Sequence, residues 1–249
     1  MTQSPFGKGF KPHHEKIIAV NRIFSGVANA YDLMNDLMSV GLHRAWKYSF
    51  VKTVTRANPG IILDMAAGTG DISGRLHQAL PAAEIVAMDI NPDMLNRGRD
   101  AHIDKGRVTR IMHAVASAEA IPLADAAVDA YVISFGLRNV GCVDKALAEA
   151  QRVLKLGGSF YCLEFSPATS PLLKRGYDFY AQYVIPTLGE IVTGNRAAYQ
   201  YLVDSIETFC LPHELSAKMR QAGFTGVYNI PFMGGIVQCH VGYVEKGRT

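Results

Sequence analysis

The nine residues LDMAAGTGD, Leu63 to Asp71, end an apolar run that begins at Ile61 and open a helical pattern that begins at Asp71. A strand that turns through closely spaced glycines into a helix is the entry to an open parallel sheet. In such sheets ligands bind beyond the carboxyl ends of the strands, where strand order reverses. Gly68 and Gly70 let the backbone turn sharply and approach a ligand closely.

Outward from this loop the same alternation continues. Strand patterns cover 61–66, 84–90, 108–114, 128–135 and 159–165, with helical patterns over 71–80, 92–103 and 144–155 between them. Ala146, Leu147, Ala150, Val153 and Leu154 form the apolar stripe of the third helix, and Leu156-Gly157-Gly158 is expected to end it. Alternation of this kind calls for a parallel sheet covered by helices on both faces. After a helix over 212–223, strand patterns at 226–230 and 235–246 are joined by too few residues for a crossover, so they should pair antiparallel. The chain reads as a single α/β domain, 1–249, with two regions outside the alternation. Residues 20–54 read as a helical cap. Residues 167–211 form an insertion with Tyr177, Phe179, Tyr180, Tyr183, Tyr199, Tyr201 and Phe209. This insertion reads either as helices packed on the sheet or as a lid over a hydrophobic pocket.

The acids of the loop discriminate between ligands. A phosphate-binding loop would carry a lysine after its last glycine, and a dinucleotide fold would offer pyrophosphate a bare helix N-terminus. Here Asp64 and Asp71 flank the bend and would repel a dianion. Asp64 has a second reading, as a structural acid that binds loop amides. Asp89 ends the second strand pattern, where an acid accepts hydrogen bonds from ribose hydroxyls. The ligand most compatible with D-x-A-x-G-x-G followed by Asp89 is S-adenosylmethionine, which carries an ammonium and a sulfonium.

Composition excludes several classes. The net charge is +3 and basic residues are scattered, which gives no nucleic-acid footprint. No apolar run approaches the roughly 18 residues needed to span a bilayer. The first twenty residues lack the pattern of a secretory or organelle signal. Cys142, Cys162, Cys210 and Cys239 stand far apart and the histidines form no H-E-x-x-H, so neither a disulfide framework nor a metal site is expected. The expectation is a reduced, cytoplasmic protein.

Several stretches are similar to those of the ubiquinone/menaquinone biosynthesis C-methyltransferase family, within the Rossmann-like class I methyltransferases. They are YDLMNDLMSVGLHRAWK (31–47), LDMAAGTGD (63–71), SAEAIPLAD (117–125), ISFGLRNV (133–140), RVLKLGGSFYCLEFS (152–166) and AYQYLVDSI (198–206). The chain departs from the family pattern at Ala67 and Ser117. The resemblance implies a seven-stranded, mostly parallel sheet with an antiparallel last strand. It implies that Gly68, Thr69 and Gly70 hold the methionine part of S-adenosylmethionine and Asp89 the ribose. Ser117 and Ala118 would contact the adenine, and Ser134 would line the cofactor.

The implied reaction is methyl transfer to a ring carbon of a prenylated demethyl-quinol, either demethylmenaquinol or 2-polyprenyl-6-methoxy-1,4-benzoquinol. A ring carbon is a poor nucleophile until the neighbouring hydroxyl loses its proton, so the substrate must be the reduced quinol. The resemblance gives Arg138, with a water, the role of catalytic base, and Asn139 stands beside it. A guanidinium keeps its proton up to about pH 12, so Arg138 is read as stabilising the phenolate, with Asn139 positioning a water that takes the proton. Asp71, His43 and Tyr31 are the reserve bases, and Trp46 and Tyr31 either cover the ring or anchor the cap. The prenyl tail implies a peripheral contact with the inner face of the membrane, through the aromatic insertion. A homodimer and a quinone-biosynthesis complex stay open. The rivals are methylation of another small acceptor, a nicotinamide oxidoreductase, and a non-catalytic lipid-binding subunit.

Overall fold

In a computed structural model the described residues are 20, 36, 39, 41–104, 110–167, 187, 190 and 196–245. They form strands β1 (Ile61–Met65), β2 (Glu84–Asp89), β3 (Ile111–Val115), β4 (Val128–Ser134), β5 (Leu154–Phe165), β6 (Thr225–Phe232) and β7 (Val237–Tyr243). The helices are α1 (Leu42–Thr55), α2 (Asp71–Ala79), α3 (Pro92–Asp104), α4 (Val143–Val153), α5 (Arg196–Glu207) and α6 (Pro212–Gln221). One seven-stranded sheet runs β3-β2-β1-β4-β5-β7-β6. The first five strands pair in parallel, and β7 is antiparallel to both of its neighbours. This is the expected class I methyltransferase sheet. The order reverses between β1 and β4, so the loops that follow those two strands open at the switch point.

Each face of the sheet has its own core. Side chains at alternate strand positions point to opposite faces. Ile62, Ala130, Val132 and Leu163 pack under Trp46, Phe50 and Val54 of α1 and Ile72 and Leu76 of α2. Leu63, Met65, Tyr131, Ile133 and Phe160 pack under Ala146, Leu147, Ala150 and Val153 of α4 and Leu215 and Met219 of α6. Strands buried on both faces are expected to read as continuous apolar runs, as VDAYVIS does in β4.

One boundary differs from the sequence reading. Helix α4 stops at Val153, and Leu154 already belongs to β5. Its last carbonyls have other partners: Ala126 N–H donates to Arg152 O at 2.9 Å and Ala127 N–H to Val153 O at 2.8 Å. Gly157 and Gly158 therefore do not cap a helix. They form a bulge in β5, where the register steps from Val128↔Leu154 to Ala130↔Ser159. Gly157, at φ 83°, donates to Val244 O, and Gly158 O accepts from Val244, which ties the bulge to the chain after β7. Of the expected third strand over 108–114, the described part belongs to β3 from Ile111, and 105–109 lie outside the described residues. So do Tyr31 and, in the insertion, Tyr177, Phe179, Tyr180 and Tyr183. Tyr199 and Tyr201 of the insertion lie on α5 and are buried.

Candidate cofactor and active site

The loops after β1 and β4 meet over the switch point. Ala66 and Phe135, each just beyond its strand, both hold φ 55°. A side chain in the left-handed region costs roughly 1–2 kcal/mol, and such strain clusters where loops serve a ligand. The two loops touch closely enough that a Cβ on Gly136 would stand 2.5 Å from Ala66 Cβ. Residue 136 therefore has to be glycine for the loops to meet.

Between these loops and those after β2 and β3 lies a cavity with about 750 Å³ of empty space, part of it open to solvent. Met65, Ala66 and Gly68 line it from β1; Asp89, Ile90, Asn91 and Met94 from β2; and Ser117, Ala118 and Glu119 from β3. The loop after β4 gives Ser134, Phe135, Gly136, Asn139, Val140 and Gly141. The walls are mostly apolar, with a few polar groups converging, which is the usual make-up of a small-molecule site.

Asp89 is the acid of this cavity. It is 9% exposed, and its two oxygens accept N–H bonds from different loops. Gly68 donates to Oδ2 and Asn91 to Oδ1, both at 2.8 Å. Burial raises its pKa above the ordinary carboxylate value, while the Asn91, Gly68 and Ile90 amides pull the other way. Asn91 in turn accepts from the Asp93 and Met94 amides, starting α3 as an N-cap.

The two loop acids turn away from this cavity, which corrects the electrostatic reading of the bend. Asp64 is 1% exposed and accepts the Ser73 hydroxyl at 2.5 Å. Burial pushes its pKa up to about 7, against hydrogen bonds from the Ser73 hydroxyl and amide. It is a structural acid, as the second reading had it, bonded to α2 at Ser73. Asp71 is matched by Lys47 Nζ at 2.9 Å and Arg75 Nε at 2.8 Å. Burial opposes its charge, yet Lys47 and Arg75 outweigh burial and hold its pKa below the usual carboxylate range. Asp71 is thus matched by two cations and Asp64 is buried against Ser73, and neither acid lines the cavity.

The other expected cofactor residues separate into two groups. Gly68, Asp89, Ser117, Ala118 and Ser134 line the cavity, whereas Thr69 and Gly70 are not among its walls. Gly70, at φ 72°, has its carbonyl bonded by His102 Nε2 at 3.0 Å, and a Cβ there would meet the His102 ring at 2.5 Å. Ser117 Oγ accepts the Glu119 amide at 3.2 Å. Ser134 Oγ is buried with no hydrogen-bond partner among the described residues. A buried hydroxyl without a partner costs about 1–3 kcal/mol, so its place on a ligand cavity is informative.

The expected catalytic pair also splits. Asn139 lines the cavity and Arg138 does not. Arg138 is 6% exposed and forms an ion pair with Glu164 of β5 at 2.6 Å. Its backbone N–H donates to Glu164 Oε2, its Nη1 to Phe135 O at 2.7 Å, and its Nε to Ser205 Oγ at 3.3 Å. The guanidinium also lies over the Phe165 ring, 5.4 Å from its centre. Asn139 Oδ1 accepts the Tyr201 hydroxyl at 3.0 Å. Of the reserve bases, Asp71 is engaged as described. His43 contacts Ser39 and Asp36, with its pKa lowered by burial and by Lys47. Trp46 meets Phe165 edge-on at 6.3 Å and belongs to the core of its face, so it anchors α1 to the sheet.

Sequence reasoning passed over Glu164, Asn91 and Glu119, and met Tyr201 as one of the aromatics of the insertion without a partner for its hydroxyl. Glu164 carried a signal, as a lone acid in the apolar run SFYCLEF, because a buried acid needs a cation nearby. Asn91 before Pro92 carried one as well, the N-cap preceding a helical proline. Glu119 Oε1 accepts the Gly141 and Cys142 amides and ties two rims of the cavity, a contact no local pattern announces.

Solved structures share this architecture at low identity. A SAM-dependent methyltransferase from Thermotoga maritima has a TM-score of 0.62 and 20% identity, covering 91% of this chain and 100% of that one. The cyclase SpnF has a TM-score of 0.55 and 18% identity, covering 75% of each chain. A fold shared with a cyclase does not fix a reaction, and these likenesses speak to the fold alone.

Sequence relatives say more. The chain is 45% identical to the ubiquinone/menaquinone biosynthesis C-methyltransferase UbiE of Methylobacterium nodulans, over 97% of each protein. It is 43% identical to the protein of that name from Rickettsia bellii, over 98% of this chain and 99% of the relative. Residues 11–244 match the ubiE/COQ5 methyltransferase family as a whole, so the cavity at the switch point is that of a protein that belongs to this family.

Proposed function

We propose that this chain transfers a methyl group from S-adenosylmethionine to a ring carbon of a prenylated demethyl-quinol, of the naphthoquinol or the benzoquinol type. The observation that carries this reading is the cavity at the switch point of a ubiE/COQ5 family chain, with Asp89 on its wall and beside it the Ser134 hydroxyl, which has no partner among the described residues.

The residues present fit the cofactor. Asp89 keeps lone pairs for a ribose diol while its amide bonds hold it still, and Ser134 has a hydroxyl in need of a partner. Ser117 and the Ala118 backbone stand on the wall where the adenine edge would lie, and Gly68 brings the loop backbone close. Thr69 and Gly70 then act by shaping the bend that carries Gly68. When bound, the cofactor supplies an electrophilic methyl on sulfur. Holding the acceptor carbon in line with that methyl is the protein's main contribution.

For the acceptor, Asn139 is the polar side chain of the Leu137–Asn139 turn that reaches the cavity. It would bond the quinol oxygen, or the water that takes its proton. Arg138 is assigned a positioning role: its charge is balanced by Glu164, and its bonds to Phe135 O and Ser205 Oγ fix the turn that presents Asn139. Among the described residues no helix is long and apolar enough to cross a membrane. Contact with the membrane that stores the substrate is assigned to the aromatic insertion.

Methylation assays with the acceptor reduced and oxidised test the proposal. Turnover of the quinol alone supports it, since only the quinol yields a phenolate. Equal turnover of the oxidised quinone, or none with either, would refute it. Liposome sedimentation of the intact chain and of a chain lacking part of 171–195 tests the membrane contact, which is rejected if both pellet equally.

A further inference from the structure

A primary amide has two different ends: its oxygen accepts and its nitrogen donates. Which end of Asn139 meets the acceptor decides what it can do there. A nitrogen stabilises an oxygen that is gaining negative charge, and an oxygen in the same place repels it.

Helix α5 settles the orientation. Tyr201 is 5% exposed, and its hydroxyl donates to Asn139 Oδ1 at 3.0 Å, across 62 residues of sequence. Burial pushes the Tyr201 pKa up to about 12, so the phenol keeps its proton at any working pH. With one lone pair of Oδ1 engaged by Tyr201, Nδ2 carries two hydrogens, one of which leans toward Phe135 O at 3.4 Å while the other is left to donate. The backbone beneath is pinned separately, by Glu164 on the Arg138 amide and by Gly136 O on the Asn139 amide at 3.0 Å. The turn of the amide about its last torsion is what remains to be set.

We infer that Tyr201 is a positioning residue that presents Asn139 to the cavity as a hydrogen-bond donor, aimed at the acceptor oxygen as it becomes a phenolate. This rests on the proposed methylation of a quinol and assigns the amide one direction of action: it stabilises the anion and does not accept the proton. It also explains why a residue far along the chain, on a helix of the insertion, bears on chemistry at the end of β4.

The test uses the full chain with Tyr201→Phe, Asn139→Ala and the double variant. The readouts are kcat, KM for both substrates, S-adenosylhomocysteine affinity and thermal melting. Asn139→Ala should lower kcat about 100-fold, as loss of one donor to a developing oxyanion does. Tyr201→Phe should lower kcat about tenfold, with both KM values and the S-adenosylhomocysteine affinity unchanged. The double variant should be no slower than Asn139→Ala, because the two residues act as one unit. Multiplying effects in the double variant, or wild-type kcat in Tyr201→Phe, overturn the inference and leave the reaction assignment intact. Wild-type kcat in Asn139→Ala overturns the reading of the site on which the inference stands. Asn139→Asp decides the matter without altering Tyr201. It has the same shape and no N–H, so it should be slower than Asn139→Ala. A faster Asn139→Asp rejects the donor role.

Discussion

The bend after β1 and the turn after β4 flank the same cavity, and each carries a charged residue that draws the eye in the sequence. In the first, Asp64 and Asp71 bond to Ser73, Lys47 and Arg75. In the second, Arg138 bonds to Glu164. In both, the conspicuous charge holds the loop, and a quieter neighbour meets the ligand cavity: Gly68 in one, Asn139 in the other. Asp64 is as deep as Arg138, but the ion pairs of the two loops differ in depth. The Asp71 side chain is about one-third exposed, at 34%, while the Arg138 and Glu164 side chains are at 4% and 3%. A charge in a motif is thus first a structural element, and its distance from water sets how much depends on its partner.

The deepest pair gives the largest effect. Glu164→Ala leaves the Arg138 guanidinium buried without its carboxylate, and should cost about 3–5 kcal/mol in urea unfolding. A loss below about 1 kcal/mol would place the pair with ordinary surface bridges and erase the contrast between the loops. Asp89→Asn is next. An amide can accept only on its oxygen, so one of the Gly68 and Asn91 amides loses its acceptor as the charge disappears. Cofactor affinity by calorimetry should fall about 10- to 100-fold, or roughly 1.4–2.7 kcal/mol. Unchanged affinity would remove Asp89 from the binding wall.

The smallest effect concerns the first loop and depends on pH. Asp64 titrates at about 7 in the fold against 3.8 as a free side chain, so between those values the folded state holds the extra proton. Its contribution therefore favours folding at low pH and is lost as pH rises through about 7. Asp64→Asn, which keeps an acceptor for Ser73, should match the wild type near pH 4 and exceed it by about 1–2 kcal/mol at pH 8. Equal stability at both pH values would show that Asp64 remains ionised in the fold.

What the sequence made legible was whatever is written locally. The strand–helix alternation, the reversal at the first loop and the antiparallel close all follow from periods and short connections. The Gly157–Gly158 bulge looks in the sequence like a helix end because both features use the same residue type. Which of them forms depends on partners at Ala126, Ala127 and Val244. The site followed the same division. Asp89 and Ser134 fall at strand ends, which the pattern locates. The orientation of Arg138 depends on Glu164, 26 residues away, and that of Asn139 on Tyr201, 62 away. No local periodicity carries such pairings.

The Gly68 and Asn91 amides that grip Asp89 come from the bend after β1 and from the start of α3. One carboxylate therefore serves as a clasp between neighbouring rims, closed during folding and before any nucleoside arrives. The conformational entropy of that acid has been surrendered by the time the ligand docks, so little is left to lose on binding. Conversely, a ligand that draws on the carboxylate tightens both rims together, and occupancy should slow amide hydrogen exchange at Gly68 and Asn91 in step.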